Sequence, residues 1–77
     1  MRKVMLITGG SRGIGAATAR LAVVEGYAVC INYHQQSASA EALVAEIKAA
    51  GGEAIALQAN IAVDAEVEQL FKAIDRY

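Results

Sequence analysis

Three glycines near the amino terminus, Gly9, Gly13 and Gly15, have a spacing that suits a phosphate-binding loop. They follow an apolar, strand-like run at residues 4–7, and the last of them falls at the start of a helix-like run that begins at Ile14. A strand that turns through a glycine-rich loop into a helix directs backbone N–H groups and the positive end of the helix dipole at one point. The spacing therefore predicts a phosphate site at this turn.

The glycine spacing argues against two other phosphate-binding loops. A P-loop requires Lys followed by Ser or Thr directly after its last glycine, whereas Gly15 is followed by Ala16 and Ala17. The G-x-G-x-x-G dinucleotide fingerprint would require a glycine where Thr18 stands. The pattern in this chain is G-x-x-x-G-x-G, placed between a predicted strand and a predicted helix.

Three short apolar runs alternate along the chain with three longer runs of helical periodicity. Strands are predicted at residues 4–7, 28–32 and 54–58. The first helix is predicted at residues 14–25, and the second runs from the 34–37 loop to about Ala50. The third begins at Asp64, which is its predicted N-cap. Gly26 and the pair Gly51-Gly52 are expected to end the first two helices. The residues expected to face the core are Ile14, Ala17, Leu21 and Val24 in the first helix, Ala40, Leu43, Val44 and Ile47 in the second, and Val67, Leu70, Phe71 and Ile74 in the third.

Strand–helix alternation with short connections predicts an α/β fold with parallel strands and right-handed crossovers. The order β-α-β-α-β-α is the N-terminal half of a Rossmann doubly wound parallel sheet, in which the first strand pairs with the second and the fourth. A fourth strand is absent from these 77 residues, and 56% of them are hydrophobic. We therefore expect residues 1–77 to be the N-terminal part of a nucleotide-binding domain, with the remainder of the polypeptide as the partner of an apolar edge.

Composition and charge weigh against several classes of protein. Seven basic and eight acidic residues give a net charge of −1 without charged runs, which does not fit a nucleic-acid binder. No apolar stretch approaches the roughly 18–20 residues of a membrane span. The first strand begins almost at once, so we expect no signal peptide and a cytoplasmic location. Cys30, the one cysteine, can form neither an internal disulfide nor a metal cluster, and we expect it to be buried.

The segment Thr8-Gly9-Gly10-Ser11-Arg12-Gly13-Ile14-Gly15 resembles the cofactor loop of the short-chain dehydrogenase/reductase family. The resemblance is to the branch with 3-oxoacyl-carrier-protein reductases and sugar or steroid reductases, and softer matches extend it over the whole chain. It implies that Gly9 allows the tight turn, Gly13 the close approach to a pyrophosphate, and Gly15 close helix–strand packing. It also implies that Ser11 and the Ile14 N–H line a nicotinamide dinucleotide, and that the complete protein forms homo-oligomers.

The residues at the end of the second strand favour NADP over NAD. A carboxylate there would bind the 2′-hydroxyl of the adenosine ribose and select NAD. Asn32, Tyr33 and His34 carry no negative charge, and Tyr33 stands where NAD-preferring relatives carry Asp. Arg12 supplies a guanidinium in the glycine loop that could bind a 2′-phosphate.

The pair Asn60-Ile61 resembles the Asp-Val of the family, whose carboxylate accepts the adenine amino group. The amide oxygen of Asn60 could accept that hydrogen bond, and the Ile61 N–H could donate to the ring.

The catalytic residues of the family are expected downstream of Tyr77. They include a Tyr-x-x-x-Lys pair, in which the tyrosine transfers the proton while hydride moves between the nicotinamide and a carbonyl or alcohol. Tyr27 and Tyr33 are followed four residues later by Ile31 and Ser37 instead of lysine. Three possibilities stay open: the cofactor-binding portion of an NADP-dependent reductase, a non-catalytic nucleotide-binding module, and a structural fragment that requires a complementary chain.

Overall fold

The computed structural model describes residues 3–9 and 13–77, which form three strands and three helices in strict alternation. The strands are β1 (Val4–Thr8), β2 (Ala28–Tyr33) and β3 (Ala54–Gln58). The helices are α1 (Gly13–Val24), α2 (Ser37–Ala49) and α3 (Asp64–Arg76). Every predicted element is present, and each boundary lies close to its predicted position.

The three strands form one parallel sheet in the order β1-β2-β3. Val4 is paired with Ala28, and Val29 is paired with Ala54. The central strand is buried from Ala28 to Asn32, whereas Val4, Met5 and Leu6 of β1 are only half-buried. The predicted α/β class and the Rossmann-type half are confirmed, and β1 is an edge strand among the described residues.

Helices α1 and α2 pack on the sheet and on each other. Successive right-handed crossovers in one direction across a sheet place their helices on the same face. The Arg20 guanidinium of α1 binds the Glu46 carboxylate of α2 through two hydrogen bonds, of 2.5 and 3.0 Å, which lower the pKa of that carboxyl. The side chains are about half exposed, so this pair links the two helices at the surface but contributes little to stability.

Glycines end α1 and α2 in the predicted places. The N–H of Gly26 donates to the Val23 carbonyl and the N–H of Tyr27 to the Ala22 carbonyl, both at 3.0 Å. These two bonds form a Schellman motif, and the same pair of bonds recurs at Gly51 and Gly52 after α2. Both helices therefore stop sharply, and the chain returns at once to the amino edge of the sheet.

The predicted core-facing side of α1 is wrong. The buried residues of this helix are Ala16, Ala19 and Ala22, whereas Ala17 and three large apolar side chains are exposed. Those three are Ile14 at 87%, Leu21 at 68% and Val24 at 79% exposure. Alanine lets the helix axis approach the sheet closely, which larger side chains on that side would prevent.

The core faces of the other helices follow the prediction more closely. In α2, Ala40, Leu43 and Ile47 are buried and Val44 is half-buried, as expected. In α3, Leu70 is buried and Val67 and Ile74 are half-buried, but Phe71 is 53% exposed, contrary to prediction. Phe71 is about 100° around the helix from Leu70, at the margin of the apolar arc.

Asp64 is not the N-cap of α3. The N-cap position is Val63, with extended backbone angles and no side-chain hydrogen bond to the helix. Asp64 instead occupies the first helical position, where its negative charge still complements the helix dipole.

Candidate functional site

The carboxyl ends of the three strands are held side by side at one edge of the sheet. The Gly9 N–H donates to the Asn32 carbonyl oxygen at 3.1 Å, and the Ala59 N–H donates to the Tyr33 carbonyl oxygen at 2.9 Å. Both bonds continue the parallel ladders just beyond the strands. The glycine turn, the end of β2 and the loop after β3 therefore meet at the edge where doubly wound sheets bind their ligands.

Gly9 and Gly13 both have backbone conformations that favour glycine. Gly9 has φ 60° and Gly13 has φ 63°, in the left-handed region that residues other than glycine rarely adopt. A Cβ added to either would meet nothing within 4 Å, so the conformation rather than local space requires glycine. Helix α1 begins at Gly13, and its first N–H groups have no partner within the helix.

The other predicted contacts of the glycine turn have different outcomes. Gly15 is half-buried in the first turn of α1. Ile14 exposes 87% of its surface, so its side chain does not pack on the described core. Ser11 and Arg12, the predicted hydroxyl and 2′-phosphate contacts, lie outside the described residues.

The end of β2 carries no carboxylate, and its predicted contacts differ in exposure. Tyr33 is half-buried and packs against the core cluster, while His34 is exposed. Gln58 at the end of β3 donates through Nε2 to the His34 carbonyl oxygen at 3.2 Å. This bond joins Gln58 to the backbone after β2 at the exposed surface.

Asn32 has a different environment from the other predicted contacts because its side chain is buried. The residue is 3% exposed, and its Nδ2 donates to the carbonyl oxygens of Leu57 at 3.3 Å and Ala59 at 3.1 Å. The amide is thus engaged with β3 and the loop that follows it. Sequence reasoning missed this arrangement, although a polar residue that ends an apolar strand was a signal for it.

The loop after β3 forms a compact turn around Asn60. The Asn60 Oδ1 accepts a hydrogen bond from the Ala62 N–H at 3.0 Å, and the Asn60 N–H donates to Glu66 Oε1 at 2.9 Å. Glu66 lies in the first turn of α3 and was not predicted to take part. An acid there that reaches back to an N–H before the helix resembles a capping box, which gives a sequence signal for this contact.

The turn leaves one backbone donor of the predicted adenine site available. Ile61 is 57% exposed, and within residues 3–9 and 13–77 no hydrogen bond uses its N–H. The Asn60 Oδ1 already accepts the Ala62 N–H, although a carbonyl oxygen can accept a second hydrogen bond. The Ile61 N–H is therefore the freer of the two predicted contacts.

Other kinds of site receive little support from the described residues. Burial raises the pKa of the Cys30 thiol to about 11, so it is poorly suited to act as a nucleophile. No group of three His, Cys, Asp or Glu side chains in residues 3–9 and 13–77 could hold a metal ion. Among the same residues, no helix has the length and apolar character needed to span a bilayer.

Comparisons with known proteins agree with the fold. The family model for short chain dehydrogenases matches residues 3–77. A 3-oxoacyl-[acyl-carrier-protein] reductase from Synechocystis sp. is 54% identical over 76 residues, covering 97% of this chain and 31% of that protein.

Two solved structures extend the comparison to three dimensions. A dehydrogenase/reductase from Sinorhizobium meliloti 1021 has a TM-score of 0.88 and 42% identity, covering 92% of this chain and 28% of its own. A blue fluorescent protein from a metagenomic library, solved in complex with NADPH, has a TM-score of 0.80 and 45% identity, covering 87% of this chain and 28% of its own. The chain thus spans less than a third of the length of these relatives.

Proposed function

The chain belongs to the short-chain dehydrogenase family, and from this we propose that it is the cofactor-binding portion of an NADP(H)-dependent oxidoreductase. The reaction would transfer hydride between the nicotinamide and a carbonyl or alcohol substrate. The observation that carries this proposal is the meeting of the glycine turn, the end of β2 and the Asn60-Ile61 turn at the carboxyl edge of the sheet.

The start of α1 suits the pyrophosphate of the cofactor. Gly9 and Gly13 turn the backbone without side chains that would hold a ligand away. The N–H of Ile14 belongs to the first turn of α1, where backbone donors and the positive dipole end favour an anion. Ser11 would add a hydroxyl contact from the same turn.

The adenine would lie against the turn after β3. The exposed Ile61 N–H can donate to a ring nitrogen, and the Asn60 Oδ1 can accept from the exocyclic amine as its second hydrogen bond. The Glu66 carboxylate stabilises this turn by accepting a hydrogen bond from the Asn60 N–H. The adenine site is therefore built mostly from backbone groups that the fold holds in place.

Preference for the 2′-phosphate would come from charge. Residues 32–36 contain no acid that would repel a phosphate, and Arg12 supplies a cation in the adjoining loop. His34 is exposed next to this position and can add a polar contact. The NADPH complex of the metagenomic relative supports the same choice of cofactor.

The nicotinamide, when bound, supplies or accepts the hydride, while this chain binds and orients the adenosine and pyrophosphate portions. Proton transfer requires groups that residues 1–77 do not provide as a Tyr-x-x-x-Lys pair. We assign these groups to the part of the family fold that the chain does not span. The exposed Ile14, Leu21 and Val24 side chains favour the same division, because they offer an apolar surface for further polypeptide.

Two other functions differ in what they predict for the cofactor. A non-catalytic nucleotide-binding module would bind NADPH without supporting reduction of any carbonyl. A structural fragment would bind no cofactor until a complementary chain covered its apolar surface. Because the two alternatives differ in whether NADPH binds, cofactor binding by the intact protein is the measurement that distinguishes them.

Titration of the intact protein with NADPH and NADH tests the proposal. We expect Arg12→Ala to weaken NADPH binding about 10- to 100-fold, the worth of one charge-assisted hydrogen bond, and to leave NADH binding nearly unchanged. Lys48→Ala, on the exposed side of α2, is the matched loss of a cation and should affect neither cofactor. Equal losses for both cofactors with Arg12→Ala would refute the assigned 2′-phosphate contact.

A further inference from the structure

Asn32 occupies a buried position between the two parts of the proposed cofactor site. Within residues 3–9 and 13–77 it is the one polar residue in the buried class, at 3% exposure. Its backbone carbonyl accepts the N–H of Gly9 at 3.1 Å, at the start of the glycine turn. Its side chain contacts the opposite neighbour, since Nδ2 donates to the carbonyls of Leu57 and Ala59.

The two side-chain bonds bear directly on the turn that contains Asn60 and Ile61. Ala59 is 2% exposed, so water cannot readily replace a lost donor to its carbonyl. Ala59 is also held through its N–H by the Tyr33 carbonyl at 2.9 Å. Both polar groups of the residue that precedes the adenine turn are therefore fixed by the end of β2.

Burial separates this role from direct contact with the cofactor. A ligand hydrogen bond from Nδ2 would require the nitrogen to leave two carbonyl oxygens, at 3.3 and 3.1 Å. At 3% exposure, little of the residue's surface is open to a ligand. His34 and Ile61 at the same edge, by contrast, are exposed.

We propose that Asn32 is a positioning residue that holds the Asn60-Ile61 turn in register with the glycine turn, and that it acts on cofactor affinity without touching the cofactor. This inference rests on the proposed function, because it concerns the same dinucleotide site. It differs from the sequence-based expectation, in which Asn32 is one of the contacts at the ribose.

Asn32→Asp separates positioning from contact because the two roles predict different changes. The substitution keeps the shape of the side chain. It replaces the amide donor with a carboxylate oxygen, which cannot donate to the carbonyl oxygens of Leu57 and Ala59. Positioning predicts that NADPH and NADH both weaken, by about tenfold and by equal factors. Direct contact predicts a shift of preference towards NADH, since a carboxylate at the ribose selects the 2′-hydroxyl.

Gln58→Leu is the matched control for loss of an amide at this edge. Gln58 is exposed and donates to the His34 carbonyl at 3.2 Å, but it does not hold Ala59. We expect its substitution to change either affinity less than threefold. If Asn32→Asp does not fold, Asn32→Ser shortens the side chain so that it no longer spans to both carbonyls, and the same equal losses are expected.

Hydrogen exchange on the intact protein without cofactor gives a second readout that does not depend on the proposed function. We expect Asn32→Asp to accelerate exchange at Ala59 and in the 60–63 turn, and to leave α2 unchanged. If the wild-type protein binds neither cofactor, the proposed function fails, and the exchange result still decides the positioning role. Unchanged exchange at 59–63, unchanged affinities or a gain of NADH preference would each overturn the inference.

Discussion

Gly52 and Val23 lie so close together that a Cβ on Gly52 would be 2.5 Å from the Val23 Cγ1. The same Cβ would be 2.9 Å from the Ile47 Cγ2. This contact brings the turn before β3 against the last residues of α1 and α2. It lies at the amino edge of the sheet, opposite the proposed cofactor edge. Close approach at this end limits how far the two helices can shift, while the exposed Arg20–Glu46 pair links them further along.

Gly52→Ala should destabilise the protein through steric overlap. The added methyl meets the stiff, β-branched side chain of Val23, and we expect a loss of about 1–3 kcal/mol in the free energy of unfolding. Chemical denaturation of the intact protein measures this loss. Cofactor affinity should change little, because the contact lies at the opposite edge from the glycine turn.

A double-mutant cycle with Val23→Ala identifies the cause of that loss. Removal of Cγ1 should relieve part of the overlap, so the double variant should be more stable than the sum of the single losses predicts, by about 1 kcal/mol. Strictly additive losses would show that Val23 is not the residue that resists a side chain at position 52.

Cys30 should make stability depend on pH in the alkaline range. Burial raises the pKa of its thiol from the ordinary 9.0 to about 11 in the folded protein. The folded state therefore retains a proton that the unfolded state loses. The stability that the protonated thiol contributes is fully present below pH 9. As the pH rises from about 9 to 11, the free energy of unfolding should fall by about 2–3 kcal/mol.

Cys30→Ala is the control for this pH dependence, because it removes the thiol and leaves every other ionisable group in place. The difference in unfolding free energy between wild type and variant should be constant up to about pH 8 and should then shrink. A constant difference up to pH 11 would contradict the assignment. The buried thiol should also react slowly with thiol reagents in the folded protein.

Leu21 tests whether further polypeptide covers the apolar side of α1. Leu21 is 68% exposed among the described residues, so Leu21→Gln would cost almost nothing if this surface stayed in water. We expect a loss of about 1–3 kcal/mol in the intact protein, as for a buried leucine. Ala42→Gln, at an exposed position of α2, should cost only a few tenths of a kcal/mol. Equal small losses would indicate that α1 remains uncovered.

Much of the fold could be predicted from sequence because turn residues mark the ends of its elements. Gly26 and Gly51 end their helices, and β3 occupies the predicted residues Ala54–Gln58. The resemblance based on the glycine loop is confirmed by the family match over residues 3–77. Short-range signals of this kind depend on local backbone chemistry, which the sequence states directly.

The orientation of α1 could not be predicted by size and hydrophobicity. Helical spacing alone allowed two faces, one with Ile14, Leu21 and Val24 and one with Ala16, Ala19 and Ala22. The larger side chains would bury more apolar surface, but packing against a sheet favours the small ones where the backbone approaches closely. That choice depends on distances between elements, which no single segment of sequence contains.

The candidate site was predictable in its location and less so in its internal bonds. From the sequence, Gly9, Tyr33, Asn60 and Ile61 were predicted to lie at one edge of the sheet. Parallel strand pairing holds the segments that carry them side by side. Sequence reasoning did not predict that Asn32 holds the Ala59 carbonyl or that Glu66 holds the Asn60 N–H. The Asn32–Ala59 contact joins residues 27 positions apart and emerges only when the strands are assembled. The Asn60–Glu66 contact spans only six positions, and the position of Glu66 in the first turn of α3 was its signal in the sequence.

A crystal structure of the intact protein with NADPH tests the central claim most directly. We predict a pyrophosphate at the start of α1, beside Gly13 and Ile14, and an adenine within hydrogen-bond distance of the Ile61 N–H. The 2′-phosphate should contact Arg12, and Asn32 should keep its bonds to Leu57 and Ala59. A cofactor bound away from this edge of the sheet, or an adenine with no contact to the Asn60-Ile61 turn, would contradict the account.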